Sequence, residues 1–199
     1  MLGLDFGTTN SAVARADGGV GRLAHFSLDG QATSTFRSVL YFSPEHSTYA
    51  QEPRAFAGPR ALEAYREAGG GGGGRFMQSL KSFLASRLFE GTYVFGWKFT
   101  LEQLISRILA TLREAAIEQL GEDGEAVLIG RPVHFVAGTG GEIDPERDRA
   151  ALTRLTHAAE LAGFRRVAFA YEPVAAAYEY ERSLDHDELV LIGDFGGGT

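Results

Sequence analysis

The chain contains no cysteine, so a disulfide framework, a thiolate nucleophile and thiolate metal ligation are all excluded. It is also poor in lysine. Lys81 and Lys98 are the only two, so a site that needs an ammonium group has two places to find one. There is no excess of positive charge: 19 Lys and Arg stand against 26 Asp and Glu, a formal net charge of -7. A nucleic-acid binder is expected to carry a basic face, so no nucleic acid is the expected partner. Long apolar runs are lacking too, and the first residues read as a strand rather than a charged-plus-apolar leader. No membrane segment is therefore expected, and a cytoplasmic setting is the default. His25, His46, His134, His157 and His186 do not fall at zinc spacings such as His-Glu-x-x-His. What the chain does have is apolar content: 44% hydrophobic residues over 199 positions is ample for a core.

The two ends carry the most informative stretches. Near the start, Gly3-Leu4-Asp5-Phe6-Gly7-Thr8-Thr9-Asn10-Ser11-Ala12-Val13-Ala14 is an apolar strand with one acid, a break at Gly7, small hydroxylated residues, then a second apolar run. That spells a β-hairpin whose turn offers backbone N–H groups and hydroxyls beside a carboxylate. Convergent N–H dipoles and hydroxyls replace the hydration shell of a phosphate, and the acid suits the metal that travels with a nucleotide. At the other end, Val190-Leu191-Ile192-Gly193-Asp194-Phe195-Gly196-Gly197-Gly198-Thr199 repeats the order of strand, Asp, glycines and threonine. Either unit alone reads equally as an ordinary Asp-Gly turn.

Between the ends, Arg22–Ser27 and Ser38–Phe42 read as strands that continue an antiparallel meander. Gly58-Pro59 opens a helix to about Glu67. The glycines Gly69 to Gly74 predict a flexible surface loop rather than a phosphate cradle, because the run holds no hydroxyl or cation. Apolar spacing predicts a helix from Phe76 to Leu88, and Tyr93–Phe99 reads as extended. Thr100 with Gln103 forms a capping box for a helix from Leu101 to about Leu120, ended by Gly121. Ala126 to Val136 is a near-continuous apolar run typical of a buried parallel strand, with Pro132 at a bulge or strand end. Asp144 and Pro145 start a helix to about Ala162. A strand at Val167–Ala170, a helix from Glu172 to about Arg182 and a closing strand at Leu189–Ile192 complete one α/β domain.

Asp5-Phe6-Gly7-Thr8-Thr9-Asn10-Ser11 resembles the first phosphate motif of the DnaK-type heat-shock (Hsp70-like) chaperones, within the actin and sugar-kinase superfamily. Asp194-Phe195-Gly196-Gly197-Gly198-Thr199 is similar to the second, and Tyr171-Glu172-Pro173-Val174-Ala175-Ala176-Ala177-Tyr178 resembles the helix start those chaperones share with actin-like filament proteins. Met77–Leu84 looks more like the YegD-like branch than like DnaK itself. The resemblance covers all 199 residues and implies the ribonuclease H-like, actin-like ATPase fold. On that reading residues 1–199 are its first lobe, with a second lobe and a peptide-binding domain absent from the chain.

The resemblance implies ATP/ADP and Mg²⁺ as cofactors. Asp5 and Asp194 would hold hydrated Mg²⁺, since Mg²⁺ sheds water reluctantly. Gly7, Thr8, Thr9 and Asn10 would meet the phosphates from one hairpin, and Gly196, Gly197, Gly198 and Thr199 from the other. Glu172 is implied to orient metal-bound or attacking water, and Pro132 to sense the γ-phosphate. With Asp5, Asp194 and Glu172 as the catalytic set, the implied reaction is in-line attack of water on ATP, driving client binding and release in an intact chaperone. The family lysine has no counterpart after Gly58-Pro59-Arg60-Ala61, which leaves Arg60 as a substitute cation and Lys81 as a weaker one. Partners are then nucleotide and, through regions outside this chain, client polypeptides or co-chaperones; alone, the chain is expected to be inactive. The competing readings are an actin- or MreB-like filament ATPase, a non-catalytic interaction module, and a sugar kinase, against which Glu172-Pro173-Val174-Ala175-Ala176-Ala177 argues.

Overall fold

The computed structural model describes residues 1–46, 51–70, 72–121, 123–135, 144–182 and 184–193. A meander of β1 (Leu2–Phe6), β2 (Asn10–Asp17) and β3 (Val20–Leu23) opens the chain. Strand β1 alternates strictly: Leu2, Leu4 and Phe6 are buried, while Gly3 and Asp5 point the other way, as the two-residue strand period requires. The expected strand at Arg22–Ser27 is instead two pieces, because the chain turns at Ala24-His25. There His25 exchanges two hydrogen bonds with the Gln119 side chain, both 2.8 Å. Beyond that tie, β4 (Phe26–Leu28) and β5 (Gln31–Thr33) form a hairpin, and β6 (Phe36–Arg37) joins β2.

A second, three-stranded sheet follows, with β7 (Val39–Phe42) at its centre between β8 (Ala55–Ala57) and β9 (Arg75–Gln78). Helix α1 (Pro59–Glu67) connects β8 towards β9 and starts with the proline the sequence placed there. The expected helix over Phe76–Leu88 does not form. Arg75–Gln78 pairs with β7 instead, Ser79 takes a left-handed backbone (φ 59, ψ 31), and only a short 3-10 turn over Leu80–Phe83 remains helical. Ladder bonds to a fully buried strand outweigh the weak helical spacing of this segment. Within the glycine run, Gly74 packs on the Tyr41 ring, where a β-carbon would lie 2.2 Å from Tyr41 Oη.

The hairpin of β10 (Gly91–Val94) and β11 (Trp97–Thr100) turns through Phe95-Gly96, both at positive φ as a tight hairpin turn demands. It feeds α2 (Leu101–Leu120), whose capping box is as expected: Thr100 Oγ1 accepts from the Gln103 N–H at 3.2 Å and Gln103 Oε1 accepts from the Thr100 N–H at 2.9 Å. Gly121 closes the helix with a left-handed φ of 66. Then come β12 (Ala126–Arg131), α3 (Pro145–Leu161, capped by Asp144), β13 (Arg166–Tyr171) and α4 (Glu172–Glu181).

Strand β12 lies parallel to both β1 and β13, so the main sheet is mixed, in the order β13-β12-β1-β2-β3. Leu2, Leu4, Val127 and Ile129 share a core with Leu104, Ile108 and Leu112 of α2 and Leu155 and Ala158 of α3, so these helices cover one face of the sheet. The α/β class therefore stands. The closing strand at Leu189–Ile192 does not: that segment has no regular structure, and Leu189 and Leu191 are fully exposed. A strand exists through its ladder, and among the described residues none pairs with it.

Candidate functional site

The face of the sheet opposite α2 and α3 is the floor of a cleft of about 930 Å³. Register determines what that floor is made of. Gly3 sits opposite Ala14 and Leu128, Asp5 opposite Ala12, and Gly130 opposite Ala170. All of these line the cleft, so the floor is mostly glycine and alanine, with Leu128 and the Asp5 carboxylate among them. One rim is the β1–β2 turn with Gly7 and Thr8, another is Pro132 to Phe135, a third is the start of α4 with Glu172, and the last is Lys81 with Ser82.

The β1–β2 turn depends on Gly7. A β-carbon there would lie 2.1 Å from the Asn10 carbonyl oxygen, closer than any side-chain residue tolerates. Thr8 reaches the cleft. Thr9 and Asn10 do not line it: the Thr9 carbonyl accepts from the Ser38 N–H at 2.9 Å, and Asn10 Oδ1 accepts from Arg37 Nη1 at 3.0 Å. Those two residues fasten the turn to the segment behind it.

Glu172 is the first residue of α4, and its side chain lies over Gly130, where a β-carbon would come within 3.2 Å of Glu172 Cγ. Its Oε1 accepts a hydrogen bond from Lys81 Nζ at 2.8 Å. Both side chains are largely buried, 11% and 19% exposed, so this is an ion pair within the cleft wall and not a solvated surface pair. The position of Arg60 removes the other candidate cation. It is exposed on α1, pairs with Glu63 at 2.9 Å, and does not line the cleft. Lys81, ranked second from sequence, is the cleft ammonium.

Pro132 follows the last residue of β12, at a strand end as expected, and is held from both sides. Arg131 donates through Nε to the Pro132 carbonyl and through Nη2 to that of Val133, both at 2.9 Å. Its guanidinium also lies over the rings of Phe135 and Tyr171. Asp148, in the first turn of α3, completes the clamp: it accepts from the Phe135 N–H at 2.6 Å, lies 3.0 Å from His134 Nδ1 and pairs with Arg131 at 3.4 Å. Burial pushes the Asp148 carboxyl up, yet the Phe135 N–H, His134 and Arg131 together bring it below its ordinary value. Sequence reading missed this clamp. An acid in a first helical turn reads as a macrodipole partner, and nothing local says that it reaches back to a strand end.

Asp194, Gly196, Gly197, Gly198 and Thr199 lie outside the described residues, as does the Gly138–Gly141 loop. Ile192 and Gly193 bring the chain to the cleft just before them. Among the described residues, no group of three or more His, Asp or Glu is placed to hold a metal ion, and no helix is long and apolar enough to cross a membrane.

No protein-family model matches the chain. Curated proteins do. Two chaperone proteins DnaK, from two strains of Halobacterium salinarum, are each 27% identical to it over 205 aligned positions that take in the whole of this chain. The chain is DnaK-like along its full length. It spans about a quarter of those proteins, 27% of each. The DnaK likeness agrees with the mixed sheet flanked by helices, an arrangement consistent with an actin-like fold.

Proposed function

We propose that this chain is the first lobe of the nucleotide-binding region of a DnaK-type chaperone ATPase, of the YegD-like branch that Met77–Leu84 suggests. Its ligands would be Mg-ATP and Mg-ADP. In an intact cytoplasmic protein, hydrolysis would drive the binding and release of client polypeptides, with co-chaperones as further partners. The observation that carries the reading is the Lys81–Glu172 pair at 2.8 Å in the same cleft as Asp5, Gly7 and Thr8.

The donor set fits a triphosphate with its metal. Gly7 strips the turn of side chain so that backbone N–H groups are reachable, Thr8 adds a hydroxyl, and Lys81 adds the ammonium that the cleft otherwise lacks. Asp5 would hold Mg²⁺ through its waters, and by the motif resemblance Asp194 and the Gly196–Thr199 stretch would join it. Mg²⁺, when bound, supplies the positive charge that offsets the phosphates. Glu172 would serve two ends: fixing the ammonium of Lys81 and accepting a hydrogen bond from water at the reacting end of the cleft. Pro132, clamped by Arg131 and Asp148, presents a rigid wall there.

Calorimetric titration of this chain with Mg-ATP and Mg-ADP tests the proposal, with Asp5→Asn and Lys81→Met alongside. Binding by wild type, weakened about tenfold or more in either variant, is the expected result, since each removes a charged contact. A folded wild-type sample that takes up no nucleotide at millimolar concentration would overturn it.

A further inference from the structure

Lys81 reaches the cleft from an unpromising segment. The residue two positions before it, Ser79, has the left-handed backbone that residues other than glycine seldom adopt, and the 3-10 turn it opens is only Leu80–Phe83. No side chain caps that turn. A turn of this kind does not hold a geometry by itself, so something outside must fix where its lysine points.

From these contacts we infer that Arg154 of α3 is the positioning residue for Lys81. Its side chain is 18% exposed, and the guanidinium uses all three of its nitrogens. Nε donates to Glu102 Oε1 of α2 at 2.6 Å, Nη1 to the carbonyls of Phe83 and Ser86 at 3.3 and 3.1 Å, and Nη2 to the carbonyl of Phe89 at 2.8 Å. Three carbonyls of the segment that runs on from Lys81 thus converge on one rigid fork, which is itself anchored to two long helices. Arginine suits this task because its donors are planar and fixed relative to one another; a lysine in its place reaches one or two acceptors with a free rotor. Burial pushes the Glu102 carboxyl up, but its bonds to Arg154, the helix-start N–H and the Thr100 hydroxyl, together with the Arg154 charge, hold it below the ordinary carboxylate range, so the anchor stays charged.

Buried Leu80 and Leu84 also hold the segment, and they set how deep it sits. They give no direction about the segment's own axis, since apolar contact is not directional. Arg154 supplies the direction. The inference concerns the placement of Lys81; its meaning for catalysis rests on the nucleotide reading above, and the two are tested apart.

The chain's two lysines make the test clean. With ¹⁵N-lysine label, Nζ-detected NMR gives Lys98, which is exposed, as an internal reference and Lys81 as the reporter. In wild type the Lys81 ammonium is expected to be shifted and slow to exchange, and Glu172→Gln defines its unpaired signal. Arg154→Met is expected to move Lys81 to that unpaired position with Lys98 unchanged, in a sample that still melts cooperatively. Glu102→Gln, which leaves the three carbonyl bonds in place, should keep most of the wild-type signal. Arg154→Lys, which keeps the charge and adds one assignable resonance, should give an intermediate Lys81 signal and carries the test if Arg154→Met does not fold. A folded Arg154 variant with Lys81 at its wild-type shift and exchange rate would overturn the inference. Calorimetry on the same samples separates the readings: a moved Lys81 signal in a chain that binds no Mg-ATP removes the nucleotide reading and leaves the positioning role standing.

Discussion

At the scale of single residues, the site is a set of charges whose partners come from far along the chain. Asp148 is the clearest case, because its acceptors serve a strand end 13 to 17 residues earlier. Its folded carboxyl is more acidic than an unfolded one, so the stability it contributes is complete above the unfolded value of about 4 and is lost as pH falls through the lower folded value. Urea unfolding of wild type and Asp148→Asn should therefore differ most near neutral pH and converge as pH drops below about 4; a gap that persists undiminished to pH about 2 would contradict the clamp. Asp5, Gly7, Thr8, Pro132 and Glu172, which line the cleft, could be named from the sequence through the motifs that carry the family resemblance. The sequence did not show which cation joins them. Arg60 and Lys81 are both helix-compatible residues after a plausible start, and the contacts that bring the Lys81 segment to the cleft, the pairing of β9 with β7 and the Arg154 bonds, are non-local.

At the scale of elements, the termini were the most legible. Capping depends on side chains within four residues of each other, so Thr100 with Gln103, Asp144 with Pro145, and Gly121 all stand where the sequence put them. Thr100→Ala removes one bond of the box at the start of α2 and should cost about 1 kcal/mol, read as a lower thermal midpoint with an unchanged helical spectrum. Elements that exist only by pairing were the least legible. The segment from Phe76 looked helical, and Arg75–Gln78 is a strand because β7 is beside it; Leu189–Ile192 looked like a strand and is not, with no described strand to accept its bonds. The ladder partner is the missing information in both cases, and it lies outside any local window.

At the scale of the whole molecule, one core joins the main sheet to α2 and α3 and holds both walls of the cleft in place. Ile108 and Leu112 are fully buried at its centre, so Leu112→Ala should cost about 2–5 kcal/mol and shift a single unfolding transition without splitting it. A second, separate transition would show that the wall carrying Lys81 folds apart from the sheet. The two walls meet through α3, which holds Pro132 to Phe135 by Asp148 and the Lys81 segment by Arg154, six residues apart on one helix. Displacement of that helix would move both walls together.

The floor between those walls has one more consequence. Gly3, Ala12, Ala14, Gly130 and Ala170 have no χ angles to set. A ligand settling on them freezes no rotamers, so this part of binding carries almost no side-chain entropy cost. The shape it meets at these five positions is that of the backbone and its β-carbons, set by strand twist and register. Apart from Asp5 and Leu128, a change in what the cleft accepts must then come from its rim, where Lys81, Pro132 and Glu172 stand, because these five floor residues offer nothing that can rearrange.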